Sequence, residues 1–263
     1  MPNYVTNNLT IFGTPAQVKA FRDAVRDPKA KNNDDARIFD FNHVVPMPKE
    51  LRDTVYPMRI ISDKEYAEQE ARLAKGILSD MERMMGIPSR SLTQALSNEY
   101  CKKFGANNWY DWSCQNWGTK WNAGSCHDND DPEGNFISFQ TAWAHPHALF
   151  SNMSERFPDL AFVCTYADED MGSNCGLSAY RNGVFQHMSA ESVGADFALA
   201  FAFVVLYGDD TESILAEWIA DDTITKAKAN AVRKAIKSDH PLMKIARDLS
   251  TISLDKNMPL LEG

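Results

Sequence analysis

Polar and apolar residues alternate from Tyr4 to Phe12, which predicts a strand with Val5, Leu9 and Ile11 on one side. Tyr4, Thr6, Asn8 and Thr10 take the other side, too polar for core. Gly13 ends the run. Thr14-Pro15 supplies an N-cap and a first-turn proline for a helix that turns Val18, Phe21 and Val25 inward, and Asp27-Pro28 stops it. A second strand is predicted over 36–45, closed by Pro46-Met47-Pro48. The period then becomes helical. Residues 64–85 are rich in good helix formers, and 89–104 read as a further helix begun by Ser89 or Ser91 and ended by Gly105.

A third strand is predicted over 136–143, a helix over 146–157 with Leu149, Met153 and Phe157 on one stripe, and a fourth strand over 160–167. Setting aside a helical insertion at about 49–105, the order is β-α-β-β-α-β. That is the ferredoxin-like α+β arrangement, with two helices on one face of an antiparallel sheet. The polar side of the first strand would then border an open sheet surface. Residues 176–187 suggest an extra hairpin turning at Asn182-Gly183. These elements make up a domain over 1–188, followed by a helical region over 189–263. Asp222-Thr223 and Asp239 ahead of Pro241 are its expected helix starts. Phe197, Phe201, Val204 and Val205 belong to a segment apolar almost all round, which predicts a sandwiched helix.

The densest chemistry lies in 107–122, which holds four of the six tryptophans. Trp112, Trp117, Trp121 and Trp143 could stack a planar ligand such as a nucleobase. Asn116, Thr119, Lys120 and Gln140 would supply hydrogen bonds, and Lys120 could meet a phosphate. The competing expectation is that the rings fill space over the sheet and Gly118 only permits a turn. His127, His145, His147, Cys114 and Cys126 do not have the spacing of a zinc site. Asp111, His43 or His145 could in principle do acid–base work, yet the sequence lacks G-x-S-x-G, a phosphate-binding glycine loop and H-E-x-x-H. No catalytic residue, metal or cofactor is therefore assigned.

Composition narrows the partners. The chain is 44% hydrophobic and 24% charged, as a globular protein should be, and its net charge of -9 argues against direct nucleic-acid binding. A modest basic helix face (Lys226, Lys228, Arg233, Lys234, Lys237) reads as solvated. The start has no basic region leading into an apolar segment, and the longest apolar run, 197–207, is about half the ~20 residues that cross a bilayer. No membrane association is expected. Five cysteines without tight pairs suit a reducing cytoplasm.

Several pieces together resemble one family. They are Pro2-Asn3 with Thr6-Asn7, Phe39-Asp40-Phe41-Asn42 with Pro46-Met47-Pro48, Asn116 through Asn122, and Phe139-Gln140-Thr141-Ala142-Trp143. They resemble the YubB-type ferredoxin-like family of bacteriophages and conjugative plasmids, over roughly residues 1–185. The resemblance implies a ferredoxin-like core without an iron–sulfur cluster, a mobile-element setting and no established activity. It supplies no catalytic residues. The leading expectation is a non-enzymatic accessory protein in the host cytoplasm that binds a host protein or complex, in the service of counter-defence. A small-ligand, nucleotide-like binder using the tryptophans is the alternative, and a metal-dependent hydrolase a further one.

Overall fold

Six strands form one sheet: β1 (Tyr4–Phe12), β2 (Gly124–His127), β3 (Phe136–Ala142), β4 (Ala161–Asp168), β5 (Cys175–Arg181) and β6 (Val184–Ser189). Their order is β2-β3-β1-β4-β5-β6, and every neighbouring pair is antiparallel. This is a computed structural model, and it describes residues 2–27, 38–85, 88–129, 131 and 134–248. Helices α1 (Pro15–Val25), α2 (Phe41–Val44), α3 (Asp63–Ala74), α4 (Asp80–Met85), α5 (Gln94–Phe104) and α6 (Trp109–Asn116) all precede β2. Helix α7 (His147–Arg156) joins β3 to β4, and α8 (Ala195–Tyr207), α9 (Thr211–Ala220), α10 (Lys226–Ile236) and α11 (Pro241–Arg247) follow the sheet.

The path β1-α1-β2-β3-α7-β4, with strands in the order β2-β3-β1-β4, is the split β-α-β arrangement, so the protein is α+β and ferredoxin-like. Thr14 caps α1 with a full capping box, and Val18, Phe21 and Val25 are buried against Leu9 and Ile11 of β1. Hairpin β5-β6 widens the sheet beyond β4. It turns at Asn182 (φ 48) and Gly183 (φ 76), the left-handed pair of a type I′ turn.

The second strand is not where the alternation suggested. Residues 36 and 37 lie outside the described set, and the remainder of 36–45 is a turn and the single-turn helix α2. Asp40 accepts from the Asn42 N–H, and Asn122 both accepts from the Phe41 N–H and donates to Asp40 (2.8, 2.8 and 2.7 Å). These bonds fold the backbone back on itself while Phe39 and Phe41 both enter the core, which mimics the pattern of a strand. The strand's place is taken by β2, a short piece with Ser125 at φ 48 and a register irregularity against β3. The helices of 49–105 therefore precede the second strand instead of following it.

The expected helix over 64–85 is two helices. Buried Glu82 accepts from both Arg72 Nη atoms (2.5 and 2.9 Å) and from the N–H groups of Ser79 and Ser89 (2.6 and 2.9 Å). One straight helix cannot bring those donors together, and the chain breaks at Gly76 (φ 68). The next helix starts at the Thr93 cap, since Ser91 is held by a two-way backbone pairing with the Gln69 amide. Gly105 (φ 81) ends it as expected. Thr225 and His240 cap α10 and α11, where Asp222-Thr223 and Asp239 had been the expected starts.

Two cores flank the sheet. One lies between it and α1 and α7, and takes in Phe21, Phe39, Phe41, Phe139, Phe150 and Phe162. The other lies between β4, β5 and α8, backed by α10 and α11, so α8 is sandwiched. The surface expected to be open is thus covered. Asn8, on the polar side of β1, donates to the Val205 carbonyl near the end of α8 and accepts from the Ser138 hydroxyl (2.9 and 2.7 Å). Asn8 and Ser138 are thereby satisfied by helix and neighbouring strand, whereas the buried Thr10 hydroxyl on the same side has no partner among the described residues.

Candidate functional site

Segment 107–122 does two jobs. Asn108 caps α6, accepting from the Asp111 N–H (2.9 Å), and the helix drives Trp112 and then Trp117 into the core beside Phe41. Trp117 Nε1 donates to the Val45 carbonyl (2.9 Å), which satisfies the one polar atom of a buried indole. Gly118 (φ 83) turns the chain so closely over the first turn of α7 that an added Cβ would stand 3.1 Å from the His147 nitrogen. Thr119 is buried and donates to the Ala142 carbonyl (2.8 Å).

Beyond that turn the chain reaches an open groove of about 590 Å³, a size suited to a small ligand. Trp109, Trp117, Trp121 and Tyr56 line it with rings, and Asn42, Thr54, Ser89 and Asn122 with polar groups. Its charged groups are Arg52 and Lys120. Neither has a carboxylate partner among the described residues. Lys120 Nζ lies 4.7 Å from the Trp121 ring centre and 4.8 Å from that of Trp143.

Of the eight residues expected to bind a ligand, Trp117, Lys120 and Trp121 come together in this groove. Trp143 stands across Lys120 and is 45% exposed. Trp112 is core, Asn116 donates to the Trp112 carbonyl (2.9 Å), and Thr119 is committed to β3. Gln140 shares its side of the sheet with Ser138 and Asn8, away from the tryptophans. Arg52, Tyr56 and Trp109 were missed; only Trp109, inside the tryptophan segment, carried a signal that could have found it.

A second concavity, about 340 Å³, lies between the start of α7 and strands β4 to β6. Ala144, His145, His147, Tyr166, Asn174, Ser178, Phe185 and His187 line it. The His145-Pro146-His147 step brings both imidazoles to the Tyr180 hydroxyl, at 2.9 Å (His145 Nε2) and 2.8 Å (His147 Nδ1). His145 Nδ1 meets Asn7 Oδ1 at 2.8 Å, and His145 stacks on Tyr166 and Phe150 with ring centres 4.7 and 5.0 Å away. Burial, then the neighbouring His147 and His187, press the His145 pKa down to about 3. Burial also lowers that of His147 and raises those of Tyr166 and Tyr180. In these four groups burial favours the neutral form.

Residues 120–202 match the ferredoxin-like domain in Api92-like protein. That stretch is less than half the chain. It holds Lys120, Trp121 and every histidine and tyrosine of the second cavity, whereas Trp109, Trp112 and Trp117 fall outside it. Among solved structures, protein api92 from Yersinia pseudotuberculosis is similar at 12% identity, covering 72% of this chain and 98% of that one. Its TM-score of 0.37 is too low to carry an argument. No curated protein matches the chain.

Among the described residues, no three His, Cys, Asp or Glu side chains are grouped to hold a metal. None of the five cysteines forms a disulfide among the described residues, and burial pushes the Cys175 thiol up to about 12. No helix among those residues is long and apolar enough to cross a membrane. On the basic helix face, Lys228 pairs with Asp196 and Arg233 with Glu212.

Proposed function

We propose that the aromatic groove binds a small, planar, anionic molecule of the nucleotide class. The observation that carries this is the pairing of ring walls with two cations, Arg52 and Lys120, that lack carboxylate partners among the described residues. Here the rings offer a stacking surface, and the cations offer a phosphate site. Titration of indole fluorescence with adenosine monophosphate should give saturable quenching. Trp121→Ala and the double change Arg52→Ala/Lys120→Ala should each weaken binding about tenfold or more, as expected for ~1–3 kcal/mol of lost stacking or charged hydrogen bonding. Absence of quenching, or equal quenching in the variants, would refute the assignment.

A second reading is favoured by a different observation. Tyr56, Ile60, Ile77 and Met84 are all exposed, Met84 by 90%, and all belong to the chain between α2 and α5. Side chains of this kind suit a protein partner. With the mobile-element setting that the sequence resemblance implies, this reading is of an accessory protein of a phage or plasmid, acting on a host complex in the cytoplasm to blunt a defence. A partner captured from host lysate by the wild type and equally by Ile60→Asp/Met84→Asp would exclude this surface.

A further inference from the structure

The second cavity has its hydrogen-bond polarity dictated from the inside outward. Buried Asn7 donates through Nδ2 to the Val5 carbonyl and the Thr141 hydroxyl (both 2.9 Å). A carbonyl can only accept, so the amide cannot be flipped and Oδ1 must face His145. His145 therefore carries its proton on Nδ1. Its Nε2 is then bare and accepts the Tyr180 proton. With that proton committed, the Tyr180 oxygen accepts from Nδ1 of His147. Nε2 of His147, a residue that lines the cavity, is left as an acceptor with no partner among the described residues. Asn174 repeats the logic at the rim. Its Nδ2 donates to the Trp143 carbonyl and to Asp168 (both 3.0 Å), which leaves Oδ1 as a second free acceptor.

Rings of Phe185 and Tyr166 flank these acceptors, and no lysine or arginine among the described residues lines the space. Anions are thus unfavoured, and a ring bearing a hydroxyl or N–H is favoured. We propose that this cavity is a binding site for a small uncharged aromatic hydrogen-bond donor, of the phenol or N–H heteroaromatic class, that donates to Nε2 of His147. Tyr180 acts as a positioning residue, holding His147 in the tautomer that accepts. This site is independent of the aromatic groove and of the ligand proposed there.

Phenol and anisole make the test, because they share a ring and differ in the donor. In protein labelled with ¹⁵N at histidine, the free state should show a bare Nε2 and a protonated Nδ1 for His147. Phenol should shift the His147 signal saturably, and anisole should bind about tenfold more weakly, which is ~1.4 kcal/mol for one lost hydrogen bond. His147→Phe should abolish the preference for phenol. Tyr180→Phe should reduce that preference and release the tautomer, a change a purely structural role would not produce. A proton on Nε2 in the free protein would overturn the proposal, as would equal affinity for phenol and anisole. Binding of neither probe would also overturn it, and all three results are read on the wild type.

Discussion

Asn7 lies fully buried on the side of β1 that faces α1 and α7, and its amide has only one orientation that satisfies the Val5 carbonyl. That fixes a proton on Nδ1 of His145, burial keeps the ring otherwise unprotonated, and the consequence reaches stability. In the folded state its pKa sits at about 3, against an unfolded value near 6.5. Between those values the unfolded chain binds a proton that the native state refuses, so stability falls as pH drops. The contribution is complete above about pH 6.5 and is lost below it at about 1.4 kcal/mol per pH unit. Urea unfolding at pH 7, 6 and 5 should show this slope reduced in His145→Gln; an unchanged slope would contradict it. Gly118 makes a second case. Its φ of 83 and the 3.1 Å approach to the His147 nitrogen penalise any side chain twice. Gly118→Ala should lower stability by at least about 1–2 kcal/mol, read as a lower melting temperature, since left-handed backbone alone costs that much.

Among the elements, α1 is tied to the far edge of the sheet by an ion pair that no local pattern announces. Arg22, 3% exposed, donates to Asp128 and to the Phe136 carbonyl, the latter at 2.9 Å. Removing one partner of a buried pair strands the other, at about 3–5 kcal/mol. Asp128→Ala should cost that much in urea unfolding, and Arg22→Met/Asp128→Ala should cost less than the single change; a cost below about 1 kcal/mol would show the pair to be idle. Elements whose signals are local were legible in the sequence: the Thr14 cap of α1, the Asn182-Gly183 turn and the Gly105 stop all act within a few residues. β2 was not, because Gly124-Ser125-Cys126-His127 has no β-branched residue and pairs only through β3. The candidate groove divides likewise. Trp117, Lys120 and Trp121 stood out by composition, whereas Arg52 and Tyr56 reach the groove by tertiary placement alone. The second cavity depends on β5 and β6 returning Tyr180 to His145 and His147, a long-range contact with no trace in their spacing.

Across the whole molecule, Trp143 stands between the two concavities. Its ring meets Lys120 of the groove and its carbonyl accepts from Asn174 at the rim of the other. Both therefore depend on the sheet that carries them, and the sheet depends on what covers its second side. Val163, Ala167, Leu177 and Ala179 are buried there under α8, whose Phe197, Phe201, Phe203 and Val205 are themselves buried. Each such large side chain is worth about 1.5–3 kcal/mol on burial. Losing four together approaches the whole margin of ~5–15 kcal/mol that keeps a protein folded. A chain ended after Val193 would also turn an apolar sheet surface to water, which drives association. Truncation at that point should abolish cooperative unfolding and leave a species that binds hydrophobic dye or aggregates. If residues 1–193 instead melt in one sharp transition and still bind adenosine monophosphate, then α8 and the helices behind it are an addition to a self-sufficient sheet and not part of its core.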